Sequence, residues 1–292
     1  MSLVSIVRAG SSHPNSVREA IERSLRLIGF NYERVFKNIV IKPNLCYYYD
    51  YSTGETTDPK FVSALVDVFR EHVPSDPQIL IVESDASAVR CKHAFKMLGY
   101  VKMAREKNAT LVNLSEERSQ IAEVKIGDKY LRFRIPQTIL QADLLVNVPK
   151  IKYQLGVKMT CALKNIYGCN AYPKKYVYHK SVHEAIVGIN KLIKSNLVVV
   201  DGIISTGIET RKLGLVMASE DPVAIDSAAS TILGMNPKFI KQITLADKEG
   251  IGSMQFVPKG EAIYYIRDIF PRRRIKNKMR MLLASIYMSL ME

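Results

Sequence analysis

The chain has 292 residues, 47% of them hydrophobic and 24% charged, and a formal net charge of +14. That composition is ample for a buried core and excludes disorder over most of the length, and no apolar run reaches the roughly 18–20 residues a membrane span needs. The charge favours anionic partners: nucleic acid, an acidic membrane surface, or phosphorylated and carboxylated metabolites.

The opening LVSIVRAG reads as a strand without the basic-then-apolar pattern of a secretory signal, so a cytoplasmic protein is expected. A helix from about Asn15 to Ile28 follows, with Val17, Ile21, Leu25 and Ile28 on one face and Gly29 as its stop. The strand NIVIKPN leads through a polar loop to the helix DPKFVSALVDVFREH, where Asp58 can cap and Pro59 fits the first turn. QILIVESD is a strand, SAVRCKHAFKMLGY a helix closed at Gly99, and ATLVNL a short strand. AEVKIGDKYLRFRIP alternates by twos around a Gly-Asp turn, which predicts a hairpin. DLLVNVPK, a helix near Val182–Lys194, NLVVVDGI, LGLVMASEDP and the helix PVAIDSAASTILG complete the pattern, the last with Asp221 as cap.

Strands buried on both faces and flanked by helices predict an α/β fold: a mostly parallel, doubly wound sheet with helices on both faces and a small antiparallel hairpin. Without an internal repeat or linker, residues 1–260 are expected to form one domain, followed over 261–292 by a basic amphipathic helical extension.

Five strands end in polar groups: Lys42-Pro43-Asn44, Glu83-Ser84-Asp85, Pro149-Lys150, Asp201-Gly202 and Ser219-Glu220-Asp221. Ligands of open parallel sheets lie outside the carboxyl ends of the strands, so all five are expected to gather at one crevice. Next to it falls PKIKYQLGVKMTCALKNIYG, where Lys150, Lys152, Lys158 and Lys164 sit among apolar residues without a carboxylate. Either a small anionic ligand supplies the countercharge, or Glu83, Asp201 and Asp226 form buried ion pairs with these lysines. Lysines desolvated in this way are candidates for a base or a Schiff-base nucleophile.

Lys42 and Asn44 would reach the same crevice as a cation and an amide. In TGETTDP, Thr56 and Thr57 stand where backbone N–H groups at a helix start could hold phosphate or carboxylate, although capping by Asp58 accounts for the same residues. Asp226, inside an otherwise apolar helix, either gains from the helix dipole or is aimed at Lys164 or Lys42. His179, among Lys174, Lys175 and Lys180, is an acid–base or ligand candidate or a solvated loop histidine.

Four cysteines without a C-x-x-C spacing form neither a disulfide framework nor a local zinc or cluster loop. Cys46, Cys161 and Cys169 fall in strand-end loops, where they bind a metal or cluster or simply pack. At the C-terminus, basic residues from Arg267 precede Ile275, Met279, Leu282, Ile286 and Leu290 at helical spacing. The stretch 267–290 suits an anionic membrane, nucleic acid, or packing on the body or a second copy of the chain. No cofactor is named by these residues.

The order IKPN, TTDP, ADLLVNVPKIK, TCALKNIYG, VVDGI and ASEDPVAIDSAA resembles the family called domain of unknown function 362, over roughly residues 4–255. Members of that family are often joined to ferredoxin-type iron–sulfur domains, and their biochemical role is not established. The resemblance carries over the lysines, Asn165, Gly168, Asp201 and Asp226, and implies an anion-binding crevice. The family pattern of Lys-Thr-His after the Pro-Lys strand is replaced here by Lys152-Tyr153-Gln154, and the glycine-rich segment after VVDGI is shortened. The expected function is an enzyme, or a ligand-binding relative of one, for a small anionic metabolite. Lys42, Lys164, His179 and Asp226 are its candidate catalytic groups, and Asn44, Thr56, Thr57, Lys150, Lys152, Lys158, Asn165 and Asp201 its candidate ligand-binding groups.

Overall fold

The apolar opening becomes strand β1 (Ser2–Arg8) and the first amphipathic segment helix α1 (Pro14–Leu27) in a computed structural model that describes residues 1–45, 47–87 and 89–272. Next come β2 (Asn38–Pro43), α2 (Pro59–His72), β3 (Gln78–Glu83), α3 (Cys91–Met97), α4 (Tyr100–Glu106) and β4 (Thr110–Asn113). The Gly127–Asp128 turn joins β5 (Ser119–Ile126) to β6 (Lys129–Pro136), and α5 (Gln137–Leu140) leads into β7 (Leu144–Val148). The lysine-rich stretch folds as a small ribbon, β8 (Lys152–Gln154) and β9 (Lys158–Thr160), followed by α6 (Ala162–Ile166). The described chain ends through α7 (Val182–Leu192), β10 (Leu197–Thr206), β11 (Thr210–Ser219), α8 (Pro222–Ile232), α9 (Lys241–Lys248), β12 (Phe256–Gly260) and α10 (Ile263–Ile269).

The expected punctuation is in place. The Asp58 carboxylate accepts the Lys60 N–H ahead of α2, and Asp221 accepts those of Val223 and Ala224 ahead of α8. Gly99 takes the left-handed conformation, φ +81°, that ends α3.

Eight strands form the main sheet in the order β12-β1-β11-β10-β7-β2-β3-β4. Strands β10, β7, β2, β3 and β4 are parallel neighbours, as are β1 and β12. Only β11 runs against both of its neighbours. The sheet is therefore mostly parallel, as expected, with one strand reversed.

Alternation along the strands supplies both cores, as a period of two requires. Ile39, Ile41, Leu144, Val146 and Val148 pack toward α1 and α2. Val40, Leu145, Val198 and Val200 pack toward α6, α7 and α8. The β5–β6 hairpin lies over the second core, with Leu131, Phe133 and Ile135 turned in. Ile266 of α10 and Phe270 join the same core, while the basic stretch expected over 267–290 lies, beyond Arg272, outside the described residues.

The reversed strand corrects one expectation. Ser219, Glu220 and Asp221 close β11, so they sit at the amino edge of the parallel strands, where Asp221 accepts the Ser2 hydroxyl at 2.6 Å. Only three residues separate β10 from β11, far too few for the crossover a parallel neighbour needs. The other four strand-end groups remain together at the carboxyl edge.

Candidate functional site

Because β2, β3 and β7 are parallel and in register, their carboxyl ends deliver Lys42, Glu83 and Lys150 to one edge. Strand β10 is longer than β7 and passes Lys150 in a parallel bridge at Asp201. Asp201 is therefore a mid-strand residue, but it stands at the same edge.

Each of these lysines meets a carboxylate. Lys42 Nζ lies 2.8 Å from Glu83 Oε2 and donates to Pro43 O at 2.7 Å, with both ionic side chains buried. Glu83 also accepts the backbone N–H groups of Leu45 and Ser84. Lys150 Nζ lies 3.2 Å from Asp201 and donates to Ile204 O. Burial pushes the Lys150 ammonium down, and Asp201 opposes that shift. Lys152 Nζ lies 3.1 Å from Glu55, donates to Glu55 O and Asn44 Oδ1, and sits over the Tyr47 ring. A buried ion pair of the kind raised for the lysine stretch thus forms at Lys150 with Asp201, and Lys42 is paired with Glu83 in the same way, whereas Lys152 meets the partly exposed Glu55, which was not among the acids expected to pair.

Amides connect the pairs. Asn44 Nδ2 donates to Asn165 Oδ1 at 3.0 Å, and Asn165 Nδ2 donates to Lys42 O and to Asn147 Oδ1. Asn147 in turn donates to Ala162 O. Two donors and two acceptors per side chain allow such a chain to close without a buried orphan along it. The threonine hydroxyls serve the backbone: Thr57 bridges Asn44 N and Val148 O, and Thr56 donates to Tyr49 O. Asp58 donates its N–H to Asp201, and its carboxyl is pushed up to about 6 by burial and by Asp201.

Asp226 does not meet the lysine proposed for it at Lys42, which Glu83 occupies. Its carboxylate instead accepts the Ala162 N–H at 2.6 Å and the Leu163 N–H at 3.3 Å. The first turn of α6 has no side-chain cap of its own, so α8 supplies one from a distance in sequence. Burial nevertheless pushes Asp226 up to about 7, against the lowering effect of those two amides.

Two candidates are not drawn into this network. Lys158 is exposed and donates to Phe239 O. His179 is exposed on the short turn 175–181. Lys164 is half-buried on α6, beside Asn165. Cys161 and Cys169 are buried in separate surroundings, the first near Asp226 and the second near Lys42 and Glu83. Burial raises both thiols, Cys169 to about 12, which keeps them protonated and poorly nucleophilic. Cys46 lies outside the described residues, and among the described residues no three His, Cys, Asp or Glu side chains are grouped to hold a metal.

Several participants were not among the sequence candidates. Asn147 is the one polar residue of LLVNV, a signal that an otherwise apolar buried strand carries a purpose at that position. Glu55 comes from the TGETTDP loop. Lys175 Nζ donates to Ser84 Oγ and to Asp85 O, and the Ser84 hydroxyl donates to Gly168 O. Burial lowers Lys175 to about 8, with Glu83 opposing and Lys42 adding to the shift. Nothing in YPKKYVYH distinguishes Lys175 from Lys174; the Tyr167 hydroxyl, donating to Lys175 O, helps fix which one turns inward.

Gly168 has a steric reason to be glycine. A Cβ there would stand 2.9 Å from Cε and Nζ of Lys42 and 3.2 Å from Glu83 Oε1. Gly168→Ala is expected to cost about 1–3 kcal/mol, because a buried, paired lysine cannot move aside without leaving its carboxylate. Urea denaturation checks this, and an unchanged midpoint would show that the pair tolerates displacement.

The family model described as domain of unknown function (DUF362) matches residues 39–231. A thylakoid-associated protein of Synechocystis sp. is 25% identical over 276 residues, covering 85% of this chain and 79% of that protein. Among solved structures, the lactate racemase apoprotein from Thermoanaerobacterium thermosaccharolyticum aligns over 80% of this chain with a TM-score of 0.49 and 13% identity. A Thermotoga maritima protein aligns over 83% of this chain with a TM-score of 0.45 and 10% identity. The alignments span only 58% and 60% of those two chains. Matched over the core of its sheet and the whole of the lysine-rich edge, the chain belongs to the family of domains of unknown function DUF362.

Proposed function

We propose that this protein is an enzyme, or a ligand-binding relative of one, that holds a small phosphate- or carboxylate-bearing metabolite at the carboxyl edge of its sheet. The observation that carries the reading is Lys175. Among the described residues no carboxylate lies within ion-pair distance of its ammonium, since Glu83 is held by Lys42 and Asp85 by Arg90. Two cations around one buried carboxylate leave a positive charge for an anion to compensate.

With its pKa lowered to about 8, Lys175 also has an accessible neutral form hydrogen-bonded to Ser84. That makes it a proton-transfer candidate, to be added to Lys42, Lys164, His179 and Asp226.

Native mass spectrometry of the protein, as purified and with added inorganic phosphate, tests the reading. A bound small anion is expected, with affinity reduced at least about tenfold in Lys175→Met and in Lys164→Ala. A polypeptide that binds no anion, or variants that bind as well as the parent, would overturn it.

A second proposal concerns residues 267–290 as a contact for nucleic acid or an anionic membrane surface. The thylakoid association of the Synechocystis relative supports the membrane alternative. No helix among the described residues is long and apolar enough to cross a membrane. A cytoplasmic location with peripheral attachment is the form this proposal takes.

A further inference from the structure

The β5–β6 hairpin has one face that nothing in the described chain covers. Its strands pair along their whole length, with Ile121 opposite Arg134, Glu123 opposite Arg132 and Lys125 opposite Tyr130. Alternation turns Leu131, Phe133 and Ile135 into the core and leaves those six residues outward. Tyr130 is 79% exposed and Ile121 62% exposed, high values for side chains of their size.

The segment after α6 runs along the free edge of β6 and enlarges this face. Ala171 N donates to Arg134 O, the Tyr178 hydroxyl donates to Arg132 O, and the Tyr178 ring stacks on Phe133. The turn that follows shows Tyr176 and Val177 to solvent, each 53% exposed, between Lys174 and Lys180.

Charge on this surface is one-sided. Lys125, Arg132, Arg134, Lys174 and Lys180 are all exposed, whereas the acids of the hairpin are Glu123, paired with Arg132, and Asp128 at the turn. The aromatic rings are interleaved with the cations: Lys125 Nζ lies 5.2 Å from the Tyr130 ring centre, and the Arg134 guanidinium 5.5 Å from that of Tyr172.

We propose that the outer face of the β5–β6 hairpin, with the turn 174–180, is the surface by which this protein lies on an anionic lipid bilayer. Tyrosine rings suit the headgroup level, where one end is apolar and the other wet. Aliphatic Ile121 and Val177 enter the acyl boundary, and the lysines and arginines extend their ammonium and guanidinium groups to lipid phosphates while their stems stay against the apolar side chains. A nucleic-acid strand would use the cations and tyrosines but gains nothing from exposed isoleucine and valine, which neither stack on bases nor bond to them. The inference rests on the described residues and requires neither the crevice reading nor the basic tail.

Vesicle co-sedimentation of the full chain tests it, using phosphatidylcholine alone and phosphatidylcholine mixed with phosphatidylglycerol. Binding is expected only to the mixed vesicles. It should fall at least about tenfold in Lys125→Glu/Arg134→Glu and also in Ile121→Ser/Tyr130→Ser. All four positions are solvent-exposed, and an unchanged thermal melt for each variant keeps a folding defect from passing as lost binding. The proposal is overturned if the parent ignores anionic vesicles, or if both double variants sediment like the parent, which would leave attachment to the tail. It is equally overturned if the substitutions abolish salt-sensitive binding of single-stranded DNA but not of vesicles, or if they only dissolve a dimer seen by light scattering.

Discussion

Lys42→Met is expected to lower the free energy of unfolding by about 3–5 kcal/mol, the largest single effect anticipated in the molecule. The substitution keeps most of the volume and the apolar stem. What it removes is the ammonium 2.8 Å from Glu83, leaving a carboxylate that is 5% exposed in a site built around a cation. The backbone N–H groups of Leu45 and Ser84 continue to bond Glu83, and Lys175 stands beyond them, so the loss is not that of an isolated buried charge. A double-mutant cycle with Glu83→Gln separates the two contributions. If the pair is the cause, the double variant should recover part of what Lys42→Met loses, since neither half then strands a charge. Additive losses in urea denaturation would mean that packing near Gly168 matters more than charge.

Asp226→Asn should change the pH dependence of stability more than any other substitution considered. Burial raises the folded-state pKa of Asp226 to about 7 from an ordinary value near 3.8. Between those values the folded protein holds a proton that the unfolded chain has released. The contribution of Asp226 is therefore fully present below its unfolded pKa and is lost as pH rises through its folded pKa. One pH unit is worth about 1.4 kcal/mol well below the folded pKa and less close to it, so between pH 5 and 7 the parent should lose roughly 2 kcal/mol relative to Asp226→Asn. Asparagine can still accept one α6 amide, but its NH2 would oppose the second, a penalty that does not vary with pH. The measurement is the difference in urea midpoints between the two proteins across that range. A difference that stays constant would mean that the Ala162 and Leu163 amides hold the carboxylate ionised throughout, outweighing burial.

These two experiments bear on the same feature. The edge of the sheet combines buried charge, a continuous amide chain and a helix start capped by a distant carboxylate, all of which cost stability unless each partner is in place. On the proposed reading, such an arrangement would meet an anion already organised to receive it. Lys175 is the member that has no carboxylate within ion-pair distance among the described residues, with Glu83 acting on it only from further away.

Much of the architecture was legible without coordinates. The period-two apolar runs, the Asp-Pro helix starts and the glycine stops are local signals, each acting within a few residues, and the elements read from them form, whereas α4, the β8–β9 ribbon, α9 and β12 were not read from the sequence. The convergence of Lys42, Glu83 and Lys150 was also legible, because parallel strands necessarily present their carboxyl ends together. The exception was Ser219–Asp221. LGLVMASEDP has the composition of a parallel core strand, and only the three-residue link from β10 reveals that it must turn back.

Pairing was decided elsewhere. Lys152 could have met any acid, and it is the TGETTDP loop, folded over β8, that brings Glu55 to it. Asp226 is close in type to the other crevice acids, yet α8 places it under the uncapped start of α6 rather than beside Lys42. Lys174 and Lys175 are indistinguishable as letters, and the packing of the segment along β6 turns one toward Ser84 while the other remains in water. The sequence by itself determined most of the main strands and the helices α1, α2, α7 and α8, the mostly parallel sheet and the edge at which polar groups collect, because helix caps, alternation and strand direction are short-range or topological properties. Which carboxylate neutralises which lysine was settled only by the tertiary structure, because an ion pair between residues 41 to 97 positions apart depends on where whole elements pack.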